Sequence, residues 1–358
     1  MENNKYLCGI DVGTTGAKVS VFDLDGKVVS SGYREYKCYF PKPGWVEQDL
    51  EHVLQSTFDA SVDAIKEFND NPSKIISISF STQRTCTIFL DDKGELVRPM
   101  ISWQDNRPVD ETNTVDKILG SKRFHKITGL PLNTTWNISK ILWLRNNEPK
   151  NWEKVKKISQ LQDFIIYKFG ADGFFVDTAA VSLYGLWDLF NNDWSDEILD
   201  QFNISKEILP NPIPSGTKVG EISSEVEKKT GFTKGTPLCV GAGDQNSAAV
   251  GAGIVKKGLM SISLGTGGLA AAFLDEPIKE LDEKSNILNH AIKGKYQLEG
   301  YQAGSASVYK WFRDEIAYLE KAYADSINGD AYQILGDIVE KTPAGSKGLL
   351  FLPFLASA

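Results

Sequence analysis

Ile10-Asp11-Val12-Gly13-Thr14-Thr15-Gly16-Ala17-Lys18 puts an apolar strand, a carboxylate near its end, a tight Gly-Thr-Thr-Gly turn and the start of a second strand into one short stretch. The same outline returns late in the chain as Ile262-Ser263-Leu264-Gly265-Thr266-Gly267-Gly268. Two similar strand-turn-strand units far apart in one chain suggest a duplicated α/β architecture, with two lobes facing each other across a cleft. Hairpin turns also use Gly and Thr for purely local reasons, so the echo alone leaves the duplication open.

Working outward, Lys5 to Val12, Ala17 to Asp23 and Lys27 to Tyr33 read as three strands of a meander, broken by the Gly-Thr turn and by Asp25-Gly26. A helix is expected from Leu50 to Phe68, with Asp49 as N-cap and Leu54, Phe58, Ser61/Val62 and Ile65 as its apolar stripe. Ile75 to Phe80 is a strand leading into Ser81-Thr82-Gln83-Arg84, and helices follow over Asn137 to Asn147 and Gln160 to Phe169. Leu209 to Gly216 reads as a Pro-rich connector. A strand over Gly235 to Gly243, a small-residue helix from Asp244 to Lys257 and a strand over Leu259 to Leu264 complete the outline.

The 358 residues suffice for about two domains, and the 41% hydrophobic and 24% charged composition is that of a globular chain. A net charge of −8 argues against nucleic-acid and anionic-membrane partners, which are held mainly through Lys/Arg patches. It leaves room for a phosphate held locally by backbone N–H groups and a metal ion. Cys8, Cys38, Cys86 and Cys239, and the three histidines His52, His125 and His290, are too scattered for a disulfide framework or a zinc site. The N-terminus opens straight into a strand and no apolar run approaches the length of a membrane span, so a cytoplasmic address is expected.

Several groups carry chemistry. In the first turn, Gly13 and Gly16 let backbone approach an oxyanion, while Asp11 can hold a hydrated magnesium ion against it; a self-satisfied hairpin turn is the alternative. No G-x-x-x-x-G-K-[ST] is present. Gly265-Thr266-Gly267-Gly268-Leu269-Ala270 fits G-x-G-x-x-A formally but runs into a strand, which disfavours a dinucleotide fingerprint. At Gly241-Ala242-Gly243-Asp244-Gln245-Asn246 a Gly-rich strand end exposes a carboxylate at a helix N-terminus. Asp244 is placed either as a general base for a hydroxyl attacking phosphorus or as an ordinary N-cap. Thr82-Gln83-Arg84-Thr85 and Trp103-Gln104-Asp105-Asn106-Arg107 gather neutral donors, cations and an aromatic face suited to a polyhydroxylated ligand, or else to the core.

In their order along the chain these segments resemble the FGGY carbohydrate kinases. Asp11-Val12-Gly13-Thr14-Thr15 opens the series, and Pro43-Gly44-Trp45-Val46-Glu47-Gln48-Asp49 is similar to the family's PGWxEQDP segment. Gln83-Arg84, Trp103 to Arg107, Ile127-Thr128-Gly129-Leu130-Pro131 and Lys140-x-x-Trp143-Leu144 follow. Gly243-Asp244-Gln245, Ser263 to Gly267 and Phe351-Leu352-Pro353-Phe354 close it.

The resemblance implies an actin-like ATPase (ribonuclease H-like) fold, with a sugar-binding lobe over 1–243 and the start of a nucleotide lobe over 244–358. It implies ATP and Mg2+, a small sugar or polyol as acceptor, Asp244 as general base and Asp11 on the magnesium side. Thr14, Thr15 and Lys18, with Gly265, Thr266 and Gly267, would hold the phosphates. Gln83, Arg84, Trp103, Asp105 and Gln245 would line the sugar pocket. Lobe closure would exclude water, and a homodimer is compatible with the family.

Among acceptors the run of sequence from Pro43 to Asp49 resembles the xylulokinase branch most. Arg84-Thr85 stands where xylulokinases carry Met-His, whereas glycerol kinases share Gln-Arg but follow it with Glu, and autoinducer-2 kinases also place an Arg at this point. A xylulose-like ketose is favoured, with autoinducer-2 and glycerol-type substrates as alternatives. Family members continue beyond Phe354, so the second lobe is expected to be incomplete over these residues and ATP binding weak. A sugar-binding remnant is the rival reading.

Overall fold

In the strand Tyr6–Val12 (β1), Tyr6, Cys8, Ile10 and Val12 are buried while Leu7 and Asp11 are exposed, the period-2 pattern of a sheet with one covered face. The computed structural model describes residues 4–265, 268–280, 282–302 and 304–352. In it β1 is joined by Gly16–Asp23 (β2) and Val28–Glu35 (β3) as an antiparallel meander, with Asp11 opposite Lys18. Ile75–Thr82 (β4) lies parallel to β1, pairing Asp11 with Ser81 and Val12 with Thr82.

Lys218–Glu221 (β5) and Pro237–Gly243 (β6) complete a six-stranded sheet in the order β5-β6-β4-β1-β2-β3. β6 is parallel to β4, so the carboxyl ends of β1, β4 and β6 emerge together, the edge at which open α/β sheets bind ligands.

The helix Leu50–Glu67 (α1) starts where Asp49 accepts from the N–H groups of Glu51 and His52, as expected of an N-cap. Its buried face is Leu50, Val53, Ser56, Thr57, Phe58, Ala60, Ser61 and Ala64. Of the expected stripe Phe58 and Ser61 lie on it and Leu54 and Ile65 pack half-buried against the core, while the face also takes in the smaller Thr57, Ala60 and Ala64. The physical reason is close approach. A Cβ added to Gly32 of β3 would lie 2.1 Å from the Ala60 carbonyl oxygen, so small residues must face the sheet. Beyond α1, the helix Leu161–Phe169 (α3) brings Phe169 between Phe58 and Phe80, with each ring centroid 5.2 Å away.

A second core forms around the helix Asn137–Asn147 (α2), where Ile138, Ile141, Leu142 and Leu144 meet Phe124, Leu183, Tyr184 and Trp187. The small-residue helix after β6 runs only over Asp244–Gly251 (α4). It was expected to continue to Lys257, but Gly251 and a left-handed Gly253 end it early.

Two compact units are present, Met1–Lys257 with Phe273–Leu298 and Gly258–Ala272 with Glu299–Ala358. Within the first, Asn289 accepts hydrogen bonds from Ser182 Oγ at 2.7 Å and Trp187 Nε1 at 3.0 Å, which ties the segment 273–298 to the second core. Within the second, Met260–Leu264 (β7) pairs antiparallel with the Gly268 to Ala272 part of the strand Gly268–Leu274 (β8), with Leu264 opposite Gly268. This is the hairpin arrangement of β1 and β2. Among the described residues no helix is long and apolar enough to cross a membrane.

Candidate active site

Gly241 is where the sheet edge becomes unusual. A Cβ there would sit 1.7 Å from the Phe80 carbonyl oxygen, and its N–H donates to Gln162 Oε1 at 2.7 Å while the β6–β4 register shifts between Cys239 and Ala242. The irregularity re-aims the strand end and delivers Asp244 as the first residue of α4. Asp244 Oδ1 accepts from its neighbour's N–H, that of Gln245, at 2.7 Å. Its side chain remains 37% accessible, so the carboxylate is open to a ligand.

Arg84 faces it from the end of β4. Its Nε lies 3.6 Å from Asp244 Oδ1 and its Nη1 donates to Asn246 Oδ1 at 3.3 Å. Gly243 makes the room, since a Cβ there would come within 2.5 Å of Arg84 Cγ and Cδ.

The first turn closes with Gly13 N–H donating to Gly16 O at 3.0 Å, and the buried Tyr36 hydroxyl bridges the Gly13 and Gly16 carbonyls. Thr14 joins this turn to the Gln83 side. Its hydroxyl donates to Gln83 Oε1 at 3.2 Å and accepts from Trp103 Nε1 at 3.1 Å. Gln48 closes the network, donating to Thr14 O at 2.9 Å and accepting from Gln83 Nε2 at 2.7 Å. Among the described residues, the N–H groups of Thr14 and Thr15 donate to no carbonyl or side chain. That leaves them available to an oxyanion.

Asp11 projects from β1 onto the sheet face opposite the core, into a groove of about 570 Å³ lined also by Lys18, Ser79, Ser81, Gly241 and Ser247. Ser81 Oγ donates to Asp11 Oδ1 at 2.8 Å. Partial burial pushes the Asp11 carboxyl above the ordinary carboxylate range, against the Ser81 hydrogen bond and the charge of Lys18.

Asp105, expected beside a sugar, is fully buried instead. Its oxygens accept from Val46 N–H at 2.6 Å and from Arg107 at 2.7 and 2.8 Å. Arg107 in turn stacks on Trp45, 3.9 Å from its ring centroid, and pairs with Glu47 at 2.8 Å. This pair is a strut under the site and offers no open acceptor. Gln83 is likewise buried with its amide engaged at both ends, whereas Trp103 and Gln245 are half-buried. Gly265 is exposed at the end of β7, and Thr266 and Gly267 lie outside the described residues. Gln48 and Asn246 belong to the cluster but were not singled out from sequence. Both sit inside quoted motifs, and only their side-chain partners reveal them.

Residues 6–251 match the model of the N-terminal domain of the FGGY family of carbohydrate kinases. The chain belongs to that family. A gluconokinase from Bacillus subtilis is 30% identical over 353 residues, 98% of this chain and 68% of that protein. A xylulose kinase from Lactococcus lactis is 28% identical over 98% of this chain and 67% of its own length. Among solved structures, ligand-bound xylulose kinase from Lactobacillus acidophilus superposes with a TM-score of 0.88 at 26% identity, over 99% of this chain and 69% of that one. The fold is therefore the α/β fold of FGGY sugar kinases, of the actin-like ATPase type. Proteins of this family are phosphotransferases that use ATP to phosphorylate a sugar or polyol.

Proposed function

We propose that Asp244 accepts the proton of an acceptor hydroxyl while that oxygen attacks the γ-phosphorus of ATP. The new O–P bond forms as the bond to the β-phosphate oxygen breaks, and ADP leaves with the electron pair. The observation that carries this reading is the open Asp244 carboxylate facing Arg84 across the ends of β6 and β4. The guanidinium can hold a second substrate oxygen and favours the ionised carboxylate needed of a base. Trp103 would offer a half-buried ring and Gln245 a half-buried amide to the acceptor.

The N–H groups of Thr14 and Thr15 would hold phosphate oxygens, aided by Lys18. Asp11 fits a magnesium ion, because this metal is commonly held by one carboxylate plus phosphates and water, and Asp11 Oδ2 has no hydrogen-bond partner among the described residues. When bound, magnesium supplies charge neutralisation for the phosphates. Asp11 and Ser81 would orient that charge at the sheet edge.

The acceptor is a small open-chain sugar or polyol. A xylulose-like ketose is supported by the similarity to xylulose kinases. Gluconate is the second reading, supported by the similarity to a gluconokinase. ADP release measured over D-xylulose, gluconate, glycerol and the autoinducer-2 diol decides between them. The same assay with Asp244→Ala tests the base: turnover falls by about 10³-fold or more with the fold intact, and normal turnover overturns the assignment.

A further inference from the structure

Arg84 owes its position to the residue that follows it. Thr85 has φ +59°, a left-handed conformation that a β-branched side chain strongly disfavours. The other non-glycine residues with positive φ among those described are Asn192, Asn203, Asn328, Ser346 and Lys347, none of them β-branched. Such an outlier persists only where its surroundings over-determine it.

Those surroundings are explicit. Thr85 N–H donates to Gln160 Oε1 at 3.0 Å, and Thr85 O accepts from Lys140 Nζ at 2.8 Å. Gln160 is itself fixed, donating to Ala180 O at 3.1 Å. Lys140 is wholly buried on α2, and among the described residues its ammonium donates to that one carbonyl. Burial holds its pKa down to about 8, the neighbouring Cys86 and Asp105 pulling it up and Arg107 down.

An ammonium without a carboxylate partner is an expensive way to fill a core, because apolar side chains of similar volume cost less there. Its one hydrogen bond goes to the backbone that sets the direction of Arg84. We propose that Lys140 is a positioning residue for phosphoryl transfer: it clamps the left-handed Thr85 turn and thereby keeps Arg84 against Asp244. The inference rests on the reading of Asp244 as the base. It assigns a role to the Lys140-x-x-Trp143 segment, which the site chemistry otherwise leaves idle. Without the clamp Thr85 relaxes to negative φ, and the preceding residue swings with the peptide plane.

Crystal structures of Lys140→Met and of Lys140→Met/Thr85→Gly, with ADP-release kinetics on D-xylulose and gluconate, test this. In the single variant Thr85 leaves the left-handed region, Arg84 parts from Asp244 and kcat/KM falls about 100-fold, the scale of an ångström-sized misplacement. Glycine adopts positive φ without strain, so the double variant restores the Arg84–Asp244 contact and at least about 10-fold of the lost rate. Thr85 and Arg84 unmoved in Lys140→Met overturn the proposal, as does a rate loss that glycine fails to recover. Asp244→Ala assayed alongside separates the two readings. Its retained turnover would remove the base assignment whatever the crystal structures report about Arg84.

Discussion

Arg84 and Asp244 approach to 3.6 Å although they sit at the ends of two different parallel strands, and the space between them exists because residue 243 has no side chain. The interaction is partly open to water, so its contribution to stability is small. Its contribution to function is alignment.

Arg84→Met therefore leaves the melting temperature nearly unchanged while lowering kcat/KM by about 100-fold, with the KM for the acceptor raised. Steady-state ADP-release kinetics beside a thermal melt check this. An unaltered KM would remove Arg84 from the acceptor site.

The two glycines of this junction should separate cleanly when each becomes alanine. At Gly241 the new Cβ meets backbone, 1.7 Å from Phe80 O, whereas at Gly243 it meets the side chain of Arg84 at 2.5 Å. Backbone in the middle of a sheet cannot give way. Gly241→Ala is expected to cost more than about 3 kcal/mol and to lower the denaturant midpoint. Gly243→Ala is expected to fold with a loss of about 1 kcal/mol or less but to displace Arg84 and lower kcat/KM about 10-fold.

Local signals in the sequence carried most of the fold. Asp49 caps α1, and Asn137–Asn147 forms a helix over the expected residues, because caps, breakers and periodicity act within a few residues. Long-range packing did not show. The face that α1 buries depends on Gly32 approaching Ala60, which no spacing encodes.

The candidate site divides in the same way. Asp244, Arg84 and the Thr14 turn stood out because strand ends with glycine beside polar residues are locally recognisable. Asp105 has the composition of a sugar ligand, yet its carboxylate is consumed by Arg107 two residues on. Lys140 reaches Thr85 across 55 positions, a contact invisible before the chain folds.

Asp11→Asn keeps the side-chain oxygen that accepts from Ser81 but removes the charge facing the groove. If that carboxylate holds the metal side of the nucleotide, the magnesium concentration for half-maximal ADP release rises about 10-fold or more, since a neutral amide is a weaker partner for a hard cation. The affinity of magnesium-loaded ATP falls in parallel by calorimetry. Magnesium dependence identical to that of the unaltered protein would place the metal elsewhere.

Asp163 provides a test by pH. It lies on α3, fully buried, with Oδ2 accepting from Gln160 N–H at 2.9 Å and from the hydroxyls of Ser159 and Tyr184. Its Oδ1 has no hydrogen-bond partner among the described residues. Burial pushes the carboxyl up to about 7, with the nearby Asp177 adding to the rise against the hydrogen bonds it accepts. The folded protein thus keeps a proton that the unfolded chain releases near pH 4. Between those values the native state binds more protons than the unfolded state, so this group's contribution to stability is complete below about pH 4 and is lost as pH rises towards 7. Asp163→Asn removes the titration and retains an oxygen for the Gln160 N–H. The difference in melting temperature between variant and unaltered protein should move in the variant's favour from pH 4 to pH 8, by about 2 °C or more if 1 kcal/mol is recovered. A difference that stays constant over that range would mean that Asp163 is ionised in the folded protein throughout.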